Sequence, residues 1–382
     1  MGLKRDLLAS RAPAAAFAAM GLYWGGFAAL VPDLKPQAQL SDEGFGLAML
    51  IAAVGAVMAM WLAPLAERRL GRRALPVLML VMIATFLLPG VSYDWLGFTI
   101  AMTLAAGAVG VLDVVMNAQV SAIEQSHGRS LMNLNHGIYS LVYAASAVGT
   151  GLAREAGAGP LTVFSCLAAI ALGLTVVSFR APLLRSGDAP GATGRAPGWA
   201  LILPGGIVIL IGFLAEQATE GWSALYLERN LGAGAAAGSV GPALLGLTMG
   251  AGRLFAQSLA QRFSEPSVIR AGAAIAALGA ALAAFAPALW LAYAGFAILG
   301  LGGSVIVPMA FAFVGARVAA DRRAQAISRL SVIGYAGFFL GPPMMGGLSG
   351  QFGLNAAFAA VALILALIPL ALVPLMRRTL RP

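Results

Sequence analysis

The residues with chemistry to offer are few, and they stand out because their surroundings are apolar. Between Gly107 and Ser140 one apolar segment carries Asp113 and Asn117; after a short polar turn a second carries Asn133, Asn135 and His136. Asp113 is the sole ionisable residue from Ala101 to Val120. A carboxylate in such a run is costly unless it is paired or neutralised, so it marks a site. Asp113 and Asn117 are four residues apart and share a helix face, which Gly110 extends. A carboxylate beside an amide can accept from, and donate to, the hydroxyls of a polar solute. At the helical rise, Asp113 would lie about 12 Å and His136 about 9 Å from the same end of two successive helices, close enough to meet. Two readings stay open: a solute-binding face that includes Asn133 and His136, or a set of side chains that satisfy one another and lock the helix pair.

A second group lies further along the chain. Glu216 and Glu220 are also four apart, with Gln217 beside them and Trp222 and Ser223 just beyond. Two carboxylates on one face repel when both are charged, so such a pair readily holds a proton, as a carrier must. Glu220 can equally sit solvated near an interface. Arg253 is the one basic residue deep inside an apolar segment, and a buried guanidinium demands a carboxylate or an anionic solute. It is expected to form either a charge pair across two halves of the molecule, which solute or proton would break, or a plain ion pair that packs helices. Tyr23, Trp24 and Phe27 could stack against the ring of a solute, or else pack among helices or face lipid. Glu67, Arg68 and the basic run to Arg73 form a candidate charge pair that holds one state, or a topology signal.

These residues need helices that cross a membrane to position them. The chain has 382 residues, 60% hydrophobic and 10% charged, far from the composition of a soluble globule. Its single cysteine, Cys166, has no partner, so neither a disulfide framework nor a cysteine metal site is expected. The net charge of +9 comes from residues that punctuate apolar runs, which speaks for membrane orientation and against nucleic acid. The basic segment Met1 to Arg11 precedes an apolar run too long for a signal peptide, and that run reads as a retained first helix. Twelve spans are expected, near 12–32, 44–66, 74–91, 95–121, 130–153, 159–179, 199–227, 239–261, 268–287, 289–316, 324–348 and 354–376. Of the 24 Lys and Arg, twenty fall on one side of such a fold, with Lys35, Arg154 and Arg229 expected in loops on the other and Arg253 inside a helix, which places both termini in the cytoplasm.

Between Arg180 and Pro197 runs a Gly-, Pro- and Ala-rich stretch after the sixth span. It divides the chain into an N-terminal bundle (1–180), a cytoplasmic linker (181–197) and a C-terminal bundle (198–382). Displacing the sequence by roughly 194 residues sets Leu65-Ala66-Glu67-Arg68 against Leu259-Ala260-Gln261-Arg262 and one glycine-rich helix, the fourth, against another, the tenth. Two related halves that hold a solute near the membrane midplane are the expectation for such a repeat.

The chain resembles the major facilitator superfamily. Ala63 to Arg73 (APLAERRLGRR) is similar to the loop Gly-x-x-x-Asp-Arg-x-Gly-Arg-Arg, with Ala for Gly, Glu67 for Asp and one extra residue. A closer likeness is to the fucose-permease-like branch. It is carried by Asp113 with Asn117, Arg129 with Asn133, Glu216 and Gln217 before Trp222 and Ser223, Gly252-Arg253 with Arg262-Phe263, and Ser304 with Pro308. The first-helix Asp that carries the proton in the fucose permease is absent; Phe27, Ala28, Ala29 and Leu30 stand there. The superfamily's antiporter signature is missing from Ser146 to Ala153, while Gly341-Pro342-Pro343 with Gly346 and Gly347 occurs in the eleventh span.

The resemblance implies an all-α membrane protein of two pseudo-symmetric six-helix bundles in a bacterial inner membrane. It would move a sugar or related small polar solute by proton-coupled symport, with a proton gradient and no cofactor. Proton-coupled efflux of a metabolite or drug is the alternative, and a passive facilitator lies between. The expected partners are the solute and the lipid bilayer, with neither nucleic acid nor an obligatory protein partner. Two histidines, His127 and His136, without a paired-histidine motif or a nucleophile elbow, speak against an enzyme or a metal site.

Overall fold

Proline and glycine decide where the apolar runs become separate helices. The computed structural model describes residues 2–127, 131–179, 198–319 and 322–378, with side chains except at 2–4, 254–261 and 324, and no strand occurs among them. Arg129, Arg180 and the linker 181–197 lie outside the described residues. The first half holds α1 (Arg11–Gln37), α2 (Asp42–Met60), α3 (Ala74–Phe86), α4 (Trp95–His127), α5 (Met132–Glu155) and α6 (Pro160–Phe179). The second holds α7 (Trp199–Leu231), α8 (Ala235–Arg262), α9 (Glu265–Ala284), α10 (Leu289–Gly303, resumed as Ile306–Gly315), α11 (323–352) and α12 (354–378).

Among the described residues, nine stretches are long and apolar enough to cross a membrane, and the last, Gln325–Arg378, has 54 residues, enough for two spans. Gly353, at φ 81° and ψ 165°, divides it into α11 and α12. The more polar α5 and α8, of 24 and 28 residues, complete the expected twelve.

Several boundaries differ from the sequence expectation for a common reason. The second span stops at Met60 and resumes as a short helix, Ala63–Leu70; the tenth breaks at Ser304 and Val305. In each case a proline, Pro64 or Pro308, stands four residues beyond the break, where its ring would clash with the carbonyl of residue i−4. In α12 the same disturbance at Pro369 is absorbed as a π-helical turn, Ile368–Leu372. Helix α4 runs six residues further than expected, to His127.

The chain forms two compact units, Met1–Asp188 with Gly234–Ala243, and Ala189–Ala233 with Leu244–Pro382. Each pairs its helices in the same order. In the first, α1 packs on α5, α2 on α4 and α3 on α6; in the second, α7 packs on α11 and α9 on α12. Helix α8 meets α10 where Gly252 and Gly300 face Ser304 and Thr248.

Small residues make these crossings close, because helices in a membrane associate through packing and not through exclusion from lipid. A Cβ at Gly25 would collide with the backbone carbonyl of Tyr143 across the α1–α5 crossing, and one at Gly337 with that of Leu210 across α7–α11. Gly25→Val is therefore expected to destabilise the protein by about 2 kcal/mol, since overfilled contacts cost about 1–3 kcal/mol. Gly149→Ala, where a Cβ meets nothing within 4 Å, is expected to change little. Thermal unfolding of both variants in detergent checks this; equal midpoints would mean that the crossing tolerates separation.

The core of the first unit is aromatic, with Phe17, Tyr23, Phe45, Phe86, Phe98 and Phe164 fully buried. In the second unit Tyr226 packs edge-on to Phe296 and Phe358 at 6.1 and 5.2 Å, and its hydroxyl donates to the carbonyl of Ala283 at 2.7 Å.

Candidate solute and proton site

In the first unit the helical spacing brings together the two residues it was expected to. Asn117 Nδ2 donates to Asp113 Oδ1 at 2.9 Å and to the Asp113 carbonyl at 2.8 Å. Both side chains are half-buried near the middle of the 33-residue α4. Because α4 is longer than expected, Asp113 lies about 21 Å from its C-terminal end, not about 12 Å. On α5, His136 packs its ring edge against Phe17 at 4.8 Å, and Asn133 is exposed in the first turn. Asn135 is fully buried, with Nδ2 donating to the Leu131 carbonyl at 2.8 Å and Oδ1 left without a partner.

Tyr23 is also fully buried, its ring stacked on Phe86 at 4.6 Å. It thus packs among helices. Trp24 is half-buried and meets Phe27 and Phe86 edge-on, each at 5.6 Å. Glu67 is half-buried and Arg68 exposed on the short helix Ala63–Leu70.

In the second unit the ionisable residues converge. Arg253 Nη2 on α8 donates to Glu216 Oε1 on α7 at 3.0 Å, and Glu220, one turn along α7, lies within electrostatic reach of both. This corrects the expectation of a charge pair across the halves, since Arg253 takes a carboxylate from the neighbouring helix of its own unit. A guanidinium in an apolar segment is held where a carboxylate can reach it with little reorganisation, and Glu216 faces it near the middle of the 33-residue α7. The group holds two carboxylates and one guanidinium, so full ionisation would leave one negative charge over. Gln217 lies against Gly341 of α11, where a Cβ would be 3.6 Å from its own. Trp222 is buried, as is Ser223, whose hydroxyl has no hydrogen-bond partner.

Sequence reasoning missed two features. One is an aromatic trio beside Glu216 and Gln217: Phe213, one turn earlier on α7, stacks on Phe338 at 4.6 Å and on Tyr335 at 5.9 Å. All three rings are half-buried. Phe213 at i−3 from Glu216 was the available signal, but Tyr335 and Phe338 are supplied by packing of α11. The other is a pair of ion pairs in the first unit, one buried on both sides and one that joins a buried Arg154 to a half-buried Asp33. Lys35 and Arg154 are not loop cations: Lys35 Nζ meets Asp42 Oδ1 at 2.6 Å, beside the Phe45 ring. Arg154 grips Asp33 with two N–H groups at 2.6 and 2.7 Å and donates to the Ala29 carbonyl at 2.7 Å. The signal was present in Asp33 and Asp42, which flank Lys35 closely.

Twelve membrane-spanning helices in two bundles, with first-to-fifth, second-to-fourth and third-to-sixth pairing repeated, constitute the major facilitator fold. Ionisable residues near the middle of α4 and α7 are what a solute carrier places there. Comparisons with known proteins bear on the family. Residues 206–382 match the family model described as Major Facilitator Superfamily. The chain is 29% identical over 353 residues to an uncharacterized MFS-type transporter of Yersinia pestis, covering 92% of this chain and 91% of that protein. It is 27% identical over 338 residues to the membrane protein MosC of Rhizobium meliloti, covering 88% and 83%. Among solved structures it is similar to a bacterial homolog of the human lysosomal transporter Spinster in an inward-facing, occupied conformation, at TM-score 0.77 and 16% identity over 99% of this chain and 98% of that one. The nucleoside transporter NupG matches at TM-score 0.75 and 14% identity over the whole of both chains. The chain thus shares its fold with solved transporters of this kind and is similar in sequence, in its second half to the superfamily's model and along most of its length to transporter-like membrane proteins.

Proposed function

We propose that the protein moves a small polar solute, a sugar or related metabolite, by alternating access with uptake of a proton. The observation that carries this reading is the grouping of Glu216, Glu220 and Arg253 near the middle of membrane-spanning helices. With one cation for two carboxylates, a proton on the group removes its excess charge, and a neutral group crosses between states more cheaply than a charged one. Asp113 supplies a carboxylate acceptor for solute hydroxyls, held in place by the two bonds that Asn117 Nδ2 donates to it. The half-buried rings of Phe213, Tyr335 and Phe338 beside Gln217 supply a flat apolar wall of the kind that the face of a sugar ring packs against. The fucose-permease-like pattern of the sequence supports the same solute class. Transport further requires that solute and proton each bind the two states unequally, because equal binding shifts no population.

The experiment is uptake into proteoliposomes of a panel of radiolabelled sugars, sugar acids and nucleosides, with and without an imposed inward proton gradient. Accumulation of one solute above its external concentration only when the gradient is present is the expected result. Rates indifferent to the gradient would make the protein a passive facilitator. Solute extrusion driven by an inward proton gradient would instead favour efflux, the reading that the absent first-helix Asp keeps open.

A further inference from the structure

We infer that the second unit carries a binding groove for one anionic phospholipid, apart from any solute site. Helices α8, α9 and α10 enclose an apolar cavity of about 480 Å³. Phe263, Ser267, Ala271, Ile275, Leu301 and Val305 are among its lining residues. It extends along α9 from Ser267 to Ile275, about 12 Å at the helical rise. Its lip is open on the apolar outside of the unit, where Phe263, Ile275 and Leu301 are 59%, 42% and 49% exposed. An exposed apolar lip on membrane-spanning helices faces hydrocarbon.

The chemistry of the cavity selects its occupant. Its polar side chains among the described residues are Ser267 and Ser304, and Ser304 Oγ already donates to the Leu301 carbonyl at 2.6 Å. Against the described lining a hydroxylated solute would find few partners for its polar groups, whereas an acyl chain needs none. The Ser267 end is cationic. Arg377 Nη2 donates to Ser267 Oγ at 3.1 Å, and Arg262, Arg270 and Arg378 are exposed on the same helix ends. The nearby carboxylate, Glu265, is held by Arg317 at 3.3 Å. An apolar slot ending under guanidinium groups matches a molecule with an acyl chain and an anionic phosphate head, and guanidinium is the side chain best suited to phosphate.

The test is native mass spectrometry of the full chain in neutral detergent, titrated with dioleoylphosphatidylglycerol or dioleoylphosphatidylcholine. The expected result is one retained phosphatidylglycerol, bound at least fivefold more than phosphatidylcholine. Ala271→Phe, which fills the slot, should lower that retention at least fivefold. Arg270→Gln with Arg377→Gln should abolish the preference over phosphatidylcholine. Equal retention of the two lipids by the unaltered protein, or retention within twofold in a folded Ala271→Phe variant, would overturn the proposal. In the unaltered protein, phosphatidylglycerol with a diazirine in its acyl chain should label peptides of α8 to α10. Labelling confined to other helices would overturn it independently of any variant.

Discussion

Reconstituted protein carrying Glu220→Gln is expected to lose proton-driven accumulation of its solute while still exchanging it across the membrane. The single change keeps the Glu216–Arg253 pair and leaves the group neutral, as a bound proton would. Replacing Glu216 as well would strand the Arg253 guanidinium without a counter-charge, so the double variant should lose exchange too. Moving one charge through a potential of 100 mV is worth about 2.3 kcal/mol, which at about 1.4 kcal/mol per tenfold is an accumulation of about 50-fold. That is the size of the effect at stake. The measurement compares gradient-driven uptake with counterflow of the same labelled solute in proteoliposomes. Loss of the first with retention of the second assigns coupling to this group. Accumulation equal to that of the unaltered protein would show that protons enter elsewhere.

Asp113→Asn is expected to weaken solute binding about 10- to 150-fold, the worth of one hydrogen bond to a charged group, roughly 1.5–3 kcal/mol. It should do so with little loss of stability. Asn117 donates to both the backbone carbonyl and the Oδ1 of residue 113, and an asparagine there can present its own Oδ1 in the same place. The binding loss therefore separates from any folding defect. Thermal unfolding with and without solute measures both, since a ligand raises the apparent stability by an amount set by its concentration over its dissociation constant. A variant that unfolds like the parent but is no longer stabilised by solute supports the role. One that is stabilised fully shows that Asp113 serves only the α4 backbone or its neighbours.

Local spacing made part of this site legible in advance. Asp113 with Asn117, and Glu216 with Glu220, are four apart, and helix geometry alone sets each pair on one face. Arg253 could be seen to need a carboxylate, but its partner is 37 residues away on α7, and only packing of α7 against α8 selects Glu216. The aromatic trio was hidden for the same reason, because Phe213 becomes notable only when α11 brings Tyr335 and Phe338 beside it. Lys35 and Arg154 were misplaced in loops because charge was counted without asking what neutralises it. The twelve spans were readable from apolar length, while their ends moved wherever Pro64 or Pro308 acted on a carbonyl four residues back.

The corner at Gly353 has a consequence for biosynthesis. From Leu330 to Met376 there is no charged residue, so α11, the corner and α12 emerge from the ribosome as one uninterrupted apolar stretch. The insertion machinery meets no basic loop between them to hold back or release. It must deliver the pair as a hairpin, turned by a left-handed glycine and flanked by little more than Gln351 and Asn355, with Arg329 before it and Arg377 after it as the nearest anchors.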